Sequence, residues 1–146
     1  MDKDALKKRY HEILQAVTHE RFNFENDKYS GVFLPMHFEE YINSKPKIMV
    51  VGRETAGWNT DNEKNTLQRI IHKNKSGLLY EILAESLKRY GSHLSDSHKS
   101  HFKRYYCKIA RELGVAPEGM IYANLLAWDY NNVSPFTRPE PERSKI

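Results

Sequence analysis

The chain has 146 residues, 39% of them hydrophobic and 12% aromatic, which is the size of one ordinary domain and too rich in rings for a disordered segment. Lys and Arg total 23 against 19 acidic residues, a formal charge of +4 that permits contact with nucleic acid without demanding it. A single cysteine, Cys107, excludes an internal disulfide and a cysteine-rich zinc site.

The N-terminus, M-D-K-D-A-L-K-K-R, has no apolar segment of the signal-peptide kind, and nothing approaches the roughly 18 apolar residues that span a bilayer. The expected compartment is therefore the cytosol. Residues 2–19 carry Leu6, Tyr10, Ile13, Leu14 and Val17 at the spacing of one helix face, with Lys7, Lys8, Glu12 and Gln15 opposite. Residues 22–30 read as irregular. Pro35 is placed to start a short helix through residues 36–42, ending before Lys45-Pro46. Ile48 to Val51 then run apolar without alternation and stop at Gly52, the pattern of a strand buried on both faces.

A polar stretch, N-T-D-N-E-K-N-T, follows Trp58 and reads as a loop. Helices are predicted over residues 67–72 and 78–90, separated by Ser76-Gly77, with Gly91 closing the second in a left-handed cap. Ser95 or Asp96 is the expected N-cap of the next helix. That helix is the clearest in the chain: Phe102, Tyr105, Tyr106, Ile109, Ala110 and Leu113 trace one stripe, and Gly114 closes it. Residues 120–127, M-I-Y-A-N-L-L-A, read as a second buried strand. The last 13 residues, 134–146, hold three prolines and read as an extended tail, leaving residues 1–133 as a single domain. The order helix, strand, helices, strand gives an α/β protein whose two strands are parallel and joined by a right-handed crossover.

Ligands in open α/β sheets bind at the carboxyl ends of strands. The residues just past the first strand are Gly52, Arg53, Glu54, Thr55 and, after a second glycine, Trp58: a cation, a carboxylate, a hydroxyl and a ring. Asn124 lies within the second strand, where a buried amide is costly without partners.

V-V-G-R-E-T, residues 50–55, and I-Y-A-N-L-L-A-W-D-Y-N-N-V-S-P, residues 121–135, together resemble two strand-end motifs of the uracil-DNA glycosylase superfamily. The first is similar to forms such as G-Q-D-P-Y, G-E-A-P-G and G-M-N-P-G. The second is similar to a strand carrying Y-I-T-N-V-V-K-C or L-L-L-N. The resemblance covers roughly residues 47–141. It implies a three-layer sandwich around a central parallel sheet, and hydrolysis of the N-glycosidic bond of uracil or a modified base in DNA. Glu54 matches the residue that orients the attacking water, Asn124 the asparagine that reads the flipped base, and Trp58 could replace the ring on which that base stacks. Departures are plain: Thr55 and Ala56 stand where a proline is usual, one cysteine implies no iron–sulfur cluster, and no H-P-S-P-like second motif occurs in residues 1–146.

Each residue has a competing structural reading. Glu54 could be a strand-end acid paired with Arg53, Asn124 an amide bonded to a loop backbone, and Trp58 a lid on the core. Lys99, Lys103 and Arg104 could touch DNA phosphates or form a solvated helix face. His93, His98 and His101 have no carboxylate or cysteine to complete a metal site, so neither metal nor cofactor is expected. Two strands make an incomplete sheet with open edges. Three explanations stand side by side: the N-terminal part of a longer protein, a sheet finished by a partner chain or a second copy, or a minimal domain whose tail covers the edge. The functional expectation is a DNA-base-recognising protein, a candidate N-glycosylase in base-excision repair. Its alternative is a non-catalytic nucleic-acid- or protein-binding module that keeps the fold without the second catalytic motif.

Overall fold

The computed structural model describes residues 2–18, 29–53, 66–95 and 100–129. Their elements are α1 (Lys3–Gln15), α2 (Glu39–Asn43), β1 (Met49–Gly52), α3 (Leu67–Lys75), α4 (Leu79–Ser92), α5 (His101–Glu112), a 3-10 turn (Pro117–Gly119) and β2 (Ile121–Asn124). The two strands pair in parallel, with Met49 opposite Ile121, Val50 opposite Tyr122, Val51 opposite Ala123 and Gly52 opposite Asn124. The protein is thus mixed α/β, with strands as parallel as their long separation in sequence requires.

Several local expectations are corrected. β1 is not buried on both faces: Ile48 and Val50 pack into the core, whereas Met49 and Val51 on the opposite face are 55% and 48% exposed. An unbroken apolar run therefore marked one covered face and one open face. β2 ends at Asn124 rather than Ala127 because the next two amides, of Leu125 and Leu126, donate to consecutive carbonyls of Gly52 and Arg53, both at 2.9 Å. A regular ladder uses every second residue, so this pattern turns the chain out of the sheet. Pro35 does not start α2, which begins four residues later at Glu39. Helix α4 passes through Gly91 to Ser92, while Gly77 and Gly114 do adopt left-handed φ values of 69° and 65°. The cap of α5 is Ser100, whose hydroxyl accepts from the Lys103 amide at 3.1 Å; Asp96 lies outside the described residues. The α5 stripe is narrower than its period suggests. Tyr106 and Ala110 are buried, but Tyr105 and Leu113 are 66% and 53% exposed.

Two apolar clusters flank an extended segment, residues 29–34. Val32 and Leu34 face a cluster built from Leu14 and Val17 at the end of α1, Leu67, Ile70 and Ile71 on α3, and Leu79 and Ile82 on α4. Phe33 faces the other way, into a cluster of Tyr90, Tyr106, Ala110, Met120 and Tyr122. This side-to-side alternation is strand geometry. The segment is anchored to the chain beyond β2: the Ser30 amide donates to the Asp129 carbonyl at 3.1 Å, the Asp129 amide to the Ser30 hydroxyl at 2.9 Å, and the Phe33 amide to the Ala127 carbonyl at 2.6 Å. Helix α4 belongs to both clusters and couples them. A two-pronged ion pair, Arg69 to Glu85 at 2.7 and 3.0 Å, fixes α3 against it.

The second cluster is organised by two tyrosines. Tyr90 and Tyr122 stack with ring centroids 4.1 Å apart and planes 8° from parallel. The Tyr90 hydroxyl donates to the Tyr122 carbonyl at 2.9 Å and accepts from the Tyr122 amide at 3.2 Å. In return the Tyr122 hydroxyl donates to the Tyr90 carbonyl at 2.9 Å. Residue 122 points its backbone away from β1, because the amides of Ile121 and Leu125 are the ones that face that strand. The Tyr90 hydroxyl therefore takes the place of a third strand at the edge of β2. The Tyr122 hydroxyl serves the Tyr90 carbonyl in the last turn of α4, alongside the cap amide of His93 at 3.3 Å. Each ring buries its own bulk and satisfies the other element's backbone.

Removing the Tyr90 hydroxyl by Tyr90→Phe orphans a buried amide and a buried carbonyl, each worth about 1–3 kcal/mol. Urea denaturation should register that loss, whereas Tyr105→Phe on the exposed face of α5 should stay within about 0.5 kcal/mol of the parent. Burial raises the pKa of four phenols, taking Tyr10 to about 12 and pushing Tyr90, Tyr106 and Tyr122 higher still. In the unfolded chain all four ionise near 10, so above that pH the unfolded state releases protons that the folded state retains. Stability is full below about pH 9 and falls above pH 10 by as much as about 1.4 kcal/mol per pH unit for each such phenol. Urea midpoints between pH 8 and 11 should show that decline, with tyrosinate absorbance rising in step with unfolding.

Candidate functional site

The carboxyl ends of β1 and β2 meet side by side, since Gly52 is the register partner of Asn124. Paired residues in neighbouring parallel strands project to the same face, so Asn124 lies over Gly52 as Tyr122 lies beside Val50. A side chain has no room at residue 52: a Cβ there would stand 2.5 Å from Asn124 Oδ1 and 3.1 Å from Phe102 Cε2. The glycine that follows the apolar run is thus needed for the close approach of an amide and a ring belonging to the same chain.

Phe102 comes from the first turn of α5. Its ring also packs on Tyr106 and Tyr122, with centroids 6.2 and 6.1 Å away. That contact brings the start of α5 to the strand ends. The same turn carries Lys103 and Arg104, and Arg104 lies 3.0 Å from the His101 ring. Arg53 is exposed and its carbonyl is held by the Leu126 amide. Asn124 is half-buried, and its side-chain amide makes no hydrogen bond among the described residues. An amide at a strand end, beside an aromatic ring, can offer a planar polar ligand one acceptor and two donors.

Of the residues singled out from sequence, the structure brings together Gly52, Arg53 and Asn124, with Lys103 and Arg104 on the adjoining helix turn. Glu54, Thr55, Trp58 and Lys99 lie outside the described residues. Phe102 was assigned only to the helix stripe, yet its ring reaches the strand ends. Its place at the beginning of that stripe, just after the serine cap, was the available signal. His93 packs its ring 5.4 Å from Tyr122, an aromatic contact. No group of three or more His, Cys, Asp or Glu side chains able to hold a metal ion occurs among the described residues, and His98 is outside them. Likewise, no described helix is long and apolar enough to cross a membrane.

Asp129, fully buried five residues beyond Asn124, was not picked out from sequence. Its backbone is locked to Ser30 in both directions, so its first role is to join the segment after β2 to residues 29–34.

Compared with family models, curated proteins and solved structures, the chain gives no match.

Gly52→Ala should cost no more than about 1 kcal/mol in urea denaturation, because the Asn124 amide can turn away from the new methyl and only the Phe102 ring must give. Gly91→Ala makes the opposite prediction. Residue 91 is helical with nothing within 4 Å of a new Cβ, so alanine should stabilise by about 0.4–1 kcal/mol.

Proposed function

We propose that the chain recognises a nucleobase of DNA at the carboxyl ends of β1 and β2. The likeness of residues 50–55 and 121–135 to the strand-end motifs of the uracil-DNA glycosylase superfamily implies this reading. The mixed α/β arrangement with two parallel strands is compatible with it. The observation that supports it most is the half-buried Asn124 amide, without a hydrogen-bond partner among the described residues and set beside the Phe102 ring. The edge of uracil alternates carbonyl acceptors with an N–H donor, and an amide meets that pattern with an adjacent donor and acceptor. An aromatic ring supplies the stacking partner that a base taken out of the duplex requires.

In this proposal Asn124 reads the base edge and Phe102, with or in place of Trp58, forms a wall of the pocket. Lys99, Lys103 and Arg104 neutralise flanking phosphates. Glu54, which follows Arg53 in sequence, orients the water that attacks the sugar carbon as the base departs. The cytosol remains the expected compartment.

The reading is tested by titrating labelled single-stranded oligonucleotides, with and without one uracil, against the parent and Asn124→Ala. The variant should lose about 5- to 150-fold in affinity for the uracil-containing strand, equivalent to 1–3 kcal/mol per base-edge contact, and little for the plain strand. Affinity should fall with salt, the log–log slope shrinking by about 0.7 for each phosphate-contacting cation removed. Affinities for both strands unchanged by Asn124→Ala would refute base recognition at this site. Alkaline cleavage after incubation decides between the enzyme and the non-catalytic alternative. Strand breaks that vanish in Glu54→Gln assign hydrolysis, and binding without breaks assigns a recognition module.

A further inference from the structure

We propose that the outer edge of β1 accepts an extended peptide strand whose apolar residues are flanked by acidic ones. This surface is separate from the strand-end site and does not depend on base recognition there. The ladder determines which groups are available. The amides of Ile121 and Leu125 donate to the carbonyls of Ile48 and Gly52 at 3.0 and 2.9 Å, so the even-numbered residues of β1 face β2. Met49 and Val51 therefore point their N–H and C=O groups outward, and neither makes a hydrogen bond there among the described residues. The opposite edge of the sheet is occupied at residue 122 by the Tyr90 hydroxyl.

That open edge lacks the usual protections. β1 reads M-V-V-G, with no proline, no charge and a regular register against β2. The side chains of Met49 and Val51 are about half exposed on the outer face, ready to be covered by alternate residues of an added strand.

The flanking charges select the occupant. Lys45 and Lys47 precede β1 and Arg53 follows it, with no acid between residues 45 and 53. The Lys47 ammonium is held on the Ile42 carbonyl at 2.6 Å and 4.9 Å from the centre of the Tyr41 ring, which fixes a positive charge at the start of the strand. A second copy pairing antiparallel about Val50 would set Lys47 against Arg53 of the other copy. Like charges directly opposite across a strand pair oppose association. A strand with an acid at each end meets both cations and avoids that repulsion.

The test uses the full chain and two blocked peptides, Glu-Val-Thr-Val-Thr-Val-Glu and its counterpart with lysine at both ends. Amide exchange is followed residue by residue. The acidic peptide should slow exchange at Met49 and Val51 by roughly tenfold when about nine-tenths of the chains are occupied, and the lysine-ended peptide should not. Val51→Pro removes an outward N–H without touching the bonds to β2 and should abolish the effect. Lys47→Glu combined with Arg53→Glu should transfer the preference to the lysine-ended peptide. Unaltered exchange with both peptides would overturn the proposal, and equal protection by both would overturn its acidic partner. Protection at Met49 and Val51 that grows with protein concentration alone would make a second copy the occupant instead.

Discussion

Tyr90 and Tyr122 hold together the part of the molecule on which the strand ends depend. Each phenol satisfies backbone groups of the other's element, while the two rings stack within 4.1 Å. A two-stranded sheet is ordinarily too small to stand alone. Here a helix side chain substitutes for a neighbouring strand, so β2 meets the aromatic cluster with the backbone of residue 122 already paired. Phe33, Phe102 and Tyr106 then close around Tyr122, at centroid distances of 5.8, 6.1 and 5.6 Å.

The same arrangement makes the sheet asymmetric. One face, with Val50, Tyr122, Gly52 and Asn124, lies against the aromatic cluster and the start of α5. The other carries the exposed Met49 and Val51, and beyond it Leu125 is 78% exposed. One edge is served at residue 122 by Tyr90, and the other presents backbone unpaired among the described residues. The two proposed sites divide along these lines. The strand ends offer an amide and a ring to a small planar group, whereas the outer edge offers only main-chain pairing and charge.

Much of the local structure was legible in the sequence. The helical spacing of Leu6, Tyr10, Leu14 and Val17, the cap glycine 114, and the parallel pairing of the two apolar runs all follow from period, backbone freedom and chain separation. Misreadings arose where a residue's burial depended on a neighbour distant in sequence. Tyr105 shares its spacing with Tyr106 yet faces out, because the cluster around Tyr122 accepts only one of two adjacent positions. Gly91 looked like a stop, but nothing obliges a glycine to leave a helix. Phe102 was legible as a stripe residue and not as a neighbour of Gly52, since that contact joins residues 50 positions apart.

Sequence alone settled the class of the chain: an α/β domain with two parallel apolar strands, a glycine ending the first, and an asparagine inside the second. Those features are local, set by side-chain period and by backbone sterics. Tertiary structure decided that Gly52 and Asn124 are partners in register, that Phe102 joins them, and that Tyr90 rather than another strand pairs with the backbone of residue 122. No local rule determines these, because each depends on which elements fold against one another and on where their unsatisfied amides and carbonyls find a partner.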